Sequence, residues 1–194
     1  GMRTCNTFLL SLPHPALCAE RFDRAVGQNG KDTGDVGVSD AAKLVDTVRA
    51  PLRLHQEDLS QAFGLLSGSK YVELEPSTAQ AVTAFIRENS TSPAQDIDQL
   101  VQLVLLNYLI GNCDNHLKNM SVLYQGSGSW INLAPAYDLV STTLFEQYTR
   151  RMGMSIGSAE FIDDVQAQDF LALADEVGVS PRLIKRHAKQ LTSC

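Results

Sequence analysis

The chain has 194 residues, 44% hydrophobic and 20% charged, with a formal net charge of −6. That composition fits one globular domain, or a domain split into two lobes, large enough to bury a core without staples. The negative balance excludes an overall attraction to nucleic acid or an anionic membrane, although it leaves a local basic patch open. No apolar run reaches the roughly 18 residues of a membrane span.

Cys5, Cys18, Cys113 and Cys194 form no C-x-x-C pair. A structural zinc site is therefore not expected, and free thiols in a reducing cytoplasm are.

In chain order, "TFLLSL" (7–12) and "ALCAERF" (16–22) are short apolar runs separated by "PHP", and both predict strands. Residues 25–40 hold four Gly and three Asp without periodicity and predict a loop or hairpin tip. "QEDLSQAFGLL" (56–66) spaces Leu59, Phe63 and Leu66 like one face of a short helix. His55, Glu57 and Asp58 fit the start of that helix better than a metal site. "PSTAQAVTAFIREN" (76–89) offers Ser77 or Thr78 as a cap and places Ala81, Val82, Phe85 and Ile86 on one side.

The strongest element is residues 93–111. Ile97, Leu100, Val101, Val104, Leu105, Tyr108 and Leu109 recur at helical spacing, and Leu103 and Leu106 occupy the remaining flank. A helix apolar nearly all round is a central, buried helix. Gly111 and Asn112 end it. "MSVLYQGSGSWINL" (120–133) predicts a β-hairpin and "RRMGMSIG" a further strand. Residues 165–178 and 180–192 predict two terminal helices, the second with Ser180 as cap and Pro181 in its first turn. "KRHAK" (185–189) is expected to be a solvated basic face.

The chemistry gathers at "IGNCDNHLKNM" (110–120), directly after the buried helix. Asp114 and Asn119 stand five apart, and Asp138 follows beyond the hairpin in "LAPAYDLV". Asn and Asp are common in plain turns because their side chains bond nearby backbone. The same arrangement also serves phosphoryl transfer: one Asp takes the proton of an attacking hydroxyl, and an Asn and a second Asp offer hard oxygens to Mg²⁺. The residues alone leave both readings open.

"IGNCDNHLKNMSVLY" followed by "LAPAYDLVST" closely resembles the signature of the HipA family, the serine/threonine kinase toxins of bacterial toxin–antitoxin systems. "AERFDR" (19–24) and "RLHQEDLSQAFGL" (53–65) are similar to two further segments of that family, in the same order. The resemblance covers most of the chain from about residue 19 and implies an α+β fold, mainly α with a small β component. Specifically, it implies a kinase-like C-terminal lobe, with residues 1–24 as residual strands and hinge and residues 25–194 as the helical lobe. It implies ATP and Mg²⁺ as cofactors. By position, Asp114 corresponds to the catalytic Asp, and Asn119 and Asp138 to the Mg²⁺ ligands. His116, Leu117, Lys118 and Tyr137 fall in the nucleotide-contacting stretches, and Glu20, Arg21 and Phe22 at the hinge that holds the adenine edge.

Beside those roles, Lys118 also reads as a solvated charge and Arg21 and Arg24 as ion-pair partners. Cys113 reads as a packing thiol. The family's N-terminal lobe supplies a phosphate-binding loop and a Lys. No Gly-rich loop precedes "AERFDR" here and the first Lys is Lys31, so the expectation is a C-terminal lobe with the N-terminal lobe largely missing. Two functions follow. One is a cytoplasmic protein serine/threonine kinase lobe of a toxin–antitoxin system, acting on a protein Ser with Asp114 as base. The other is a catalytically incomplete binding module, or half of a split kinase, working through an antitoxin or a separately encoded N-terminal lobe. Neither calls for direct nucleic-acid or membrane binding.

Overall fold

The apolar periodicity of residues 93–111 becomes the axis of the fold in the computed structural model of the chain, which describes residues 2–11, 14–25, 52–66, 68, 71–125 and 130–193. Two hairpin-like pairs open it: β1 (Thr7–Leu10) runs antiparallel to β2 (Ala16–Ala19), and β3 (Arg24–Ala25) to β4 (Leu52–Arg53). Next come β5 (His55–Asp58), α1 (Leu59–Ala62), α2 (Thr78–Asn89) and α3 (Pro93–Ile110). The chain then forms β6 (Ser121–Gln125), β7 (Trp130–Leu133), β8 (Arg151–Ile156) and β9 (Ala159–Phe161). It finishes with α4 (Ala167–Val177) and α5 (Pro181–Thr192).

The result is the α+β architecture the resemblance implies. The expected strands at 7–12 and 16–22, the two hairpin strands of 120–133 and the helices at 76–89, 93–111, 165–178 and 180–192 are all present within a few residues. The second strand stops at Ala19, three residues early, because Phe22 and Asp23 turn the chain toward β3. Most of the loop expected at 25–40 lies outside the described residues.

The helix expected over 56–66 is corrected. Gln56–Asp58 belong to β5, which pairs with β6 in the register His55↔Tyr124 to Asp58↔Ser121 and makes the hairpin a three-stranded sheet. Only Leu59–Ala62 is helical. Asp58 caps that turn and Gln61 answers in a reciprocal capping box. Leu59 is fully buried, but Leu66, expected on the same face, is 81% exposed. Three apolar residues at helical spacing could not reveal that backbone partners from residues 121–124 would claim the first part of the segment. The strand β9 is an addition to the sequence expectation; it is too short and polar to carry a periodic signal.

Helix α3 sits in the core with Leu100, Val101, Val104 and Leu105 essentially inaccessible. Side chains of this kind contribute about 1.5–3 kcal/mol each on burial. The helix α2 packs on it through Val82 and Ile86, and α4 and α5 complete the layer through Leu173, Val177 and Ile184. Ser77 caps α2 by accepting from the Gln80 N–H. Gly111 ends α3 with φ +72°, and a Cβ there would stand 2.1 Å from Thr143 Oγ1. That glycine lets α3 stop abruptly and release the polar loop into its turn.

The buried end of α3 is tied to the sheet by Asp96, which is 0% exposed. It accepts from the Leu133 N–H at 2.8 Å, Ser90 Oγ at 2.7 Å and the Arg3 guanidinium at 3.0 Å. The basic face expected at 185–189 is also corrected at its centre. His187 is 4% exposed and its Nε2 lies 2.7 Å from Asp98 Oδ1, so the ring clasps α5 to α3 instead of facing solvent. Among the described residues, no helix is long and apolar enough to cross a membrane.

Candidate active site

Two loops meet beyond the C-terminal end of α3. One is residues 111–120, which starts at Gly111 and is closed by a 3₁₀ turn at Leu117–Asn119. The other is residues 134–142, which leaves β7 and is held by the N-terminal segment: Cys5 N–H donates to Ala136 O and Ala136 N–H to Arg3 O. Their junction is made by Asn112, which is 4% exposed. Its Nδ2 donates to Asn107 Oδ1 at 2.7 Å and to the Asp138 carbonyl at 3.2 Å. Its Oδ1 accepts from the Asp114 N–H at 3.1 Å. One side chain thus touches the backbone of both Asp114 and Asp138. Thr142 adds a second join, accepting from Cys113 N–H at 2.8 Å and donating to Gly111 O at 3.1 Å.

Asp114 and Asp138 consequently line one open cleft of about 270 Å³, together with Tyr71, Val140, Tyr148 and Thr149 among others. Asp138 is exposed and has φ +57°, a left-handed conformation that Asp tolerates better than most residues. Asp114 already accepts a hydroxyl: the Tyr71 O–H donates to its Oδ1 at 2.7 Å. His116 Nε2 lies 3.6 Å from the same oxygen, with the ring 4% exposed and edge-on to Tyr71 at 5.6 Å.

Asn119 does not line that cleft among the described residues, but its amide is fixed. Its Nδ2 donates to the Asp114 carbonyl at 2.7 Å. A carbonyl can only accept, so this bond fixes which amide atom faces it and leaves Oδ1 as the atom a cation would use. Leu117 is a core residue, 4% exposed, and Lys118 is half-buried. The Lys118 carbonyl accepts from Tyr137 O–H at 2.9 Å. Burial pushes the Tyr137 phenol up to about 12; the Ser121 hydrogen bond opposes that shift, and the Asp58 and Asp138 charges add to it.

Of the residues expected at the hinge, Phe22 reaches the site: its ring stacks on Tyr137 with centroids 5.6 Å apart and planes 28° apart. Glu20 and Arg21 do not line the cleft among the described residues. Glu20 secures the hairpin, accepting from Asn6 Nδ2 at 2.7 Å, and Arg21 pairs with Asp23 at 2.6 Å. Asp23 is 4% exposed. The Arg21 hydrogen bond, ahead of the Arg21 and Arg24 charges and against desolvation, holds its carboxyl below the usual carboxylate range. Cys113 is buried, and burial raises its thiol above the ordinary value, which suits a packing thiol and not a nucleophile.

Sequence reasoning missed Asn112 as the join and Tyr71 as the partner of Asp114. Asn112 carried a signal, since it stands in the polar cluster. Tyr71 carried none, because its bond spans 43 residues. As for a metal, no group of three or more His, Cys, Asp or Glu is poised for one among the described residues. Asn119 Oδ1 and the exposed Asp138 carboxylate nonetheless fit Mg²⁺, which takes few protein oxygens and completes its shell with water and phosphate.

The HipA-like C-terminal domain model matches residues 1–194. The candidate kinase Y4mE of Sinorhizobium fredii is 34% identical over 177 residues, covering 91% of this chain and 37% of its own length. The serine/threonine-protein kinase toxin HipA of Shewanella oneidensis is 27% identical over 197 residues, covering 95% of this chain and 40% of its own length. A solved structure of the Shewanella oneidensis toxin–antitoxin system, HipA with HipB and operator DNA, shares the fold. Its TM-score is 0.79 at 24% identity, over 99% of this chain and 43% of that chain. The chain spans about two-fifths of the length of these relatives. By the match of its whole length and by its kinship to Y4mE, the chain belongs to the HipA-like C-terminal domain family.

Proposed function

We propose that this chain is the catalytic lobe of an ATP- and Mg²⁺-dependent protein serine/threonine kinase of HipA type. Residues 25–194 form the lobe and residues 1–24 the strands and hinge. The observation that carries the reading is that Asn112 joins the Asp114 and Asp138 loops so that both carboxylates line one cleft.

In this reading the acceptor Ser hydroxyl donates to Asp114, as Tyr71 O–H does at 2.7 Å, within the reach general-base catalysis requires. The Ser oxygen bonds to the γ-phosphorus as the bond from that phosphorus to the β,γ-bridging oxygen breaks. ADP leaves, and the Ser proton passes to Asp114. Asn119 and Asp138 would hold Mg²⁺, whose charge would offset that of the phosphates. His116, Leu117, Lys118 and Tyr137 border the nucleotide, and the backbone of Glu20, Arg21 and Phe22 holds the adenine edge. The setting is a bacterial cytoplasm, with an antitoxin as partner.

The experiment is calorimetric titration with Mg²⁺ and ATP, repeated with Asp138→Asn, followed by transfer of labelled γ-phosphate with Asp114→Asn. Micromolar binding lost in Asp138→Asn, and transfer lowered about 10²–10⁴-fold in Asp114→Asn, is the expected result. No binding at millimolar ATP refutes the reading for this chain on its own.

A second reading, a lobe that works only with a separately encoded N-terminal part or another partner, is favoured by the β1–β2 hairpin. Phe8, Leu9 and Leu17 are 53%, 65% and 76% exposed there. A two-stranded sheet with apolar side chains bare on both faces is marginal by itself and gains by being covered.

A further inference from the structure

The "HQED" segment and the first strand of the hairpin have no role in the chemistry proposed above, yet they end in the site. Gln56 lies opposite Leu123 and Asp58 opposite Ser121, which places Gln56 and Ser121 diagonally on one face of the sheet. Gln56 Nε2 donates to Ser121 Oγ at 3.0 Å. Ser121 Oγ lies 2.6 Å from Tyr137 Oη, and the Tyr137 O–H reaches the Lys118 carbonyl at 2.9 Å.

The direction of this chain is fixed by valence. A carbonyl only accepts, so the single phenol proton goes to Lys118. The phenol oxygen is then the acceptor for the Ser121 proton. With its own proton committed, Ser121 takes the proton of Gln56, whose amide nitrogen only donates. Three bonds run one way and reinforce one another. Ser121 is 1% exposed, so water cannot stand in for a lost member.

The two ends of the phenol bond are each one residue from a proposed metal ligand: Lys118 precedes Asn119, and Tyr137 precedes Asp138. Asp138 holds φ +57°, a conformation that persists only where neighbouring contacts impose it. Asn112 fixes its carbonyl side at 3.2 Å, and Tyr137 fixes the peptide before it. Phe22, stacked on the same ring, connects the hinge to that fixed point.

We infer that the Tyr137 hydroxyl is the clamp that sets the separation of the Asn119 and Asp138 loops, and that Ser121 and Gln56 are positioning residues that aim it. The inference rests on the kinase reading for its consequence, which is metal-assisted nucleotide binding, but the clamp itself is measurable without nucleotide. Outer-shell partners of metal ligands typically change metal affinity or activity 10–100-fold when removed.

The test compares Tyr137→Phe, which keeps the ring against Phe22, with Ser121→Ala, Ser121→Thr and Gln56→Ala. Hydrogen–deuterium exchange is followed without ligand at amides 118–120 and 137–139, with α3 amides as reference. ATP affinity is measured with and without Mg²⁺. The expected result is exchange at least 10-fold faster in both loops in Tyr137→Phe and Ser121→Ala, with α3 unchanged. Ser121→Thr restores it, and Gln56→Ala shows a smaller effect of the same pattern. The Mg²⁺-dependent gain in ATP affinity falls about 10–100-fold in the same order. Unchanged loop exchange in Tyr137→Phe and Ser121→Ala overturns the clamp, as does acceleration spread equally over α3. A wild-type chain in which Mg²⁺ adds nothing to ATP binding overturns the kinase reading, while the exchange data still decide the clamp.

Discussion

Replacing Gly153 by Ala perturbs the site from behind with a single methyl group. Gly153 lies in β8, and a Cβ there would stand 2.8 Å from both the carbonyl carbon and oxygen of Asn115 and 2.9 Å from His116 N. Ordinary contact begins at 3.4 Å, so the two backbones must part by 0.6 Å (3.4 − 2.8). Neither yields freely, because Gly153 N–H donates to Cys113 O at 2.7 Å and binds the strand to the loop. Overpacking of this kind costs about 1–3 kcal/mol. A misplacement of about 1 Å can lower a rate about 10²-fold, so on the proposed kinase reading a shift of this size is expected to reduce phosphoryl transfer by about an order of magnitude. Urea unfolding followed by circular dichroism gives the first quantity and a γ-phosphate transfer assay the second. Gly68, where an added methyl would meet nothing within 4 Å, serves as the control, and Gly68→Ala is expected to stay within about 0.5 kcal/mol. An unshifted urea midpoint in Gly153→Ala, equal to the control, would refute the argument that β8 sets the position of residues 113–116.

Asp96→Ala is expected to destabilise the fold by about 1–3 kcal/mol, since it leaves the Ser90 hydroxyl and Leu133 N–H without their acceptor, while the half-exposed Arg3 guanidinium keeps Gln99 Oε1 and the Leu133 carbonyl. A loss under about 1 kcal/mol in urea unfolding would show that water replaces the carboxylate. His187→Ala removes the clasp to Asp98 and should cost about 2 kcal/mol, with faster amide exchange in α5 than in α3; equal exchange in the two helices would contradict it. The carboxyl of Asp169 is held below its ordinary value, chiefly by the Gln166 N–H and, against desolvation, by Ser158. As pH falls the unfolded chain binds that proton first, so its contribution is present above the usual carboxylate range near about 3.9 and is lost through and below it. Asp169→Asn should therefore flatten the acid limb of a stability–pH profile, and an acid limb identical to wild type would refute the assignment.

Sequence alone determined much of the frame. The helix at 93–111 was legible because its apolar residues recur at helical spacing along its whole length, a local pattern that no tertiary partner needs to complete. Gly111 marked its end, and the hairpin at 120–133 showed its turn. Asp114, Asn119 and Asp138 were singled out by residue chemistry and motif resemblance, which are also properties of the chain as written. Tertiary structure alone decided whatever depends on a partner distant in sequence. Gln56–Asp58 became a strand because residues 121–124 offered an edge to pair with. His187 was buried because Asp98, 89 residues away, met it. Tyr71 came to Asp114, and Tyr137 to Lys118, across turns whose geometry is set by packing beneath them. A periodic pattern records how a segment meets the core. The bonds of Gln56, Tyr71, Ser121 and Tyr137 join segments 16 to 65 residues apart, and only the assembled fold brings those atoms within hydrogen-bonding reach of each other.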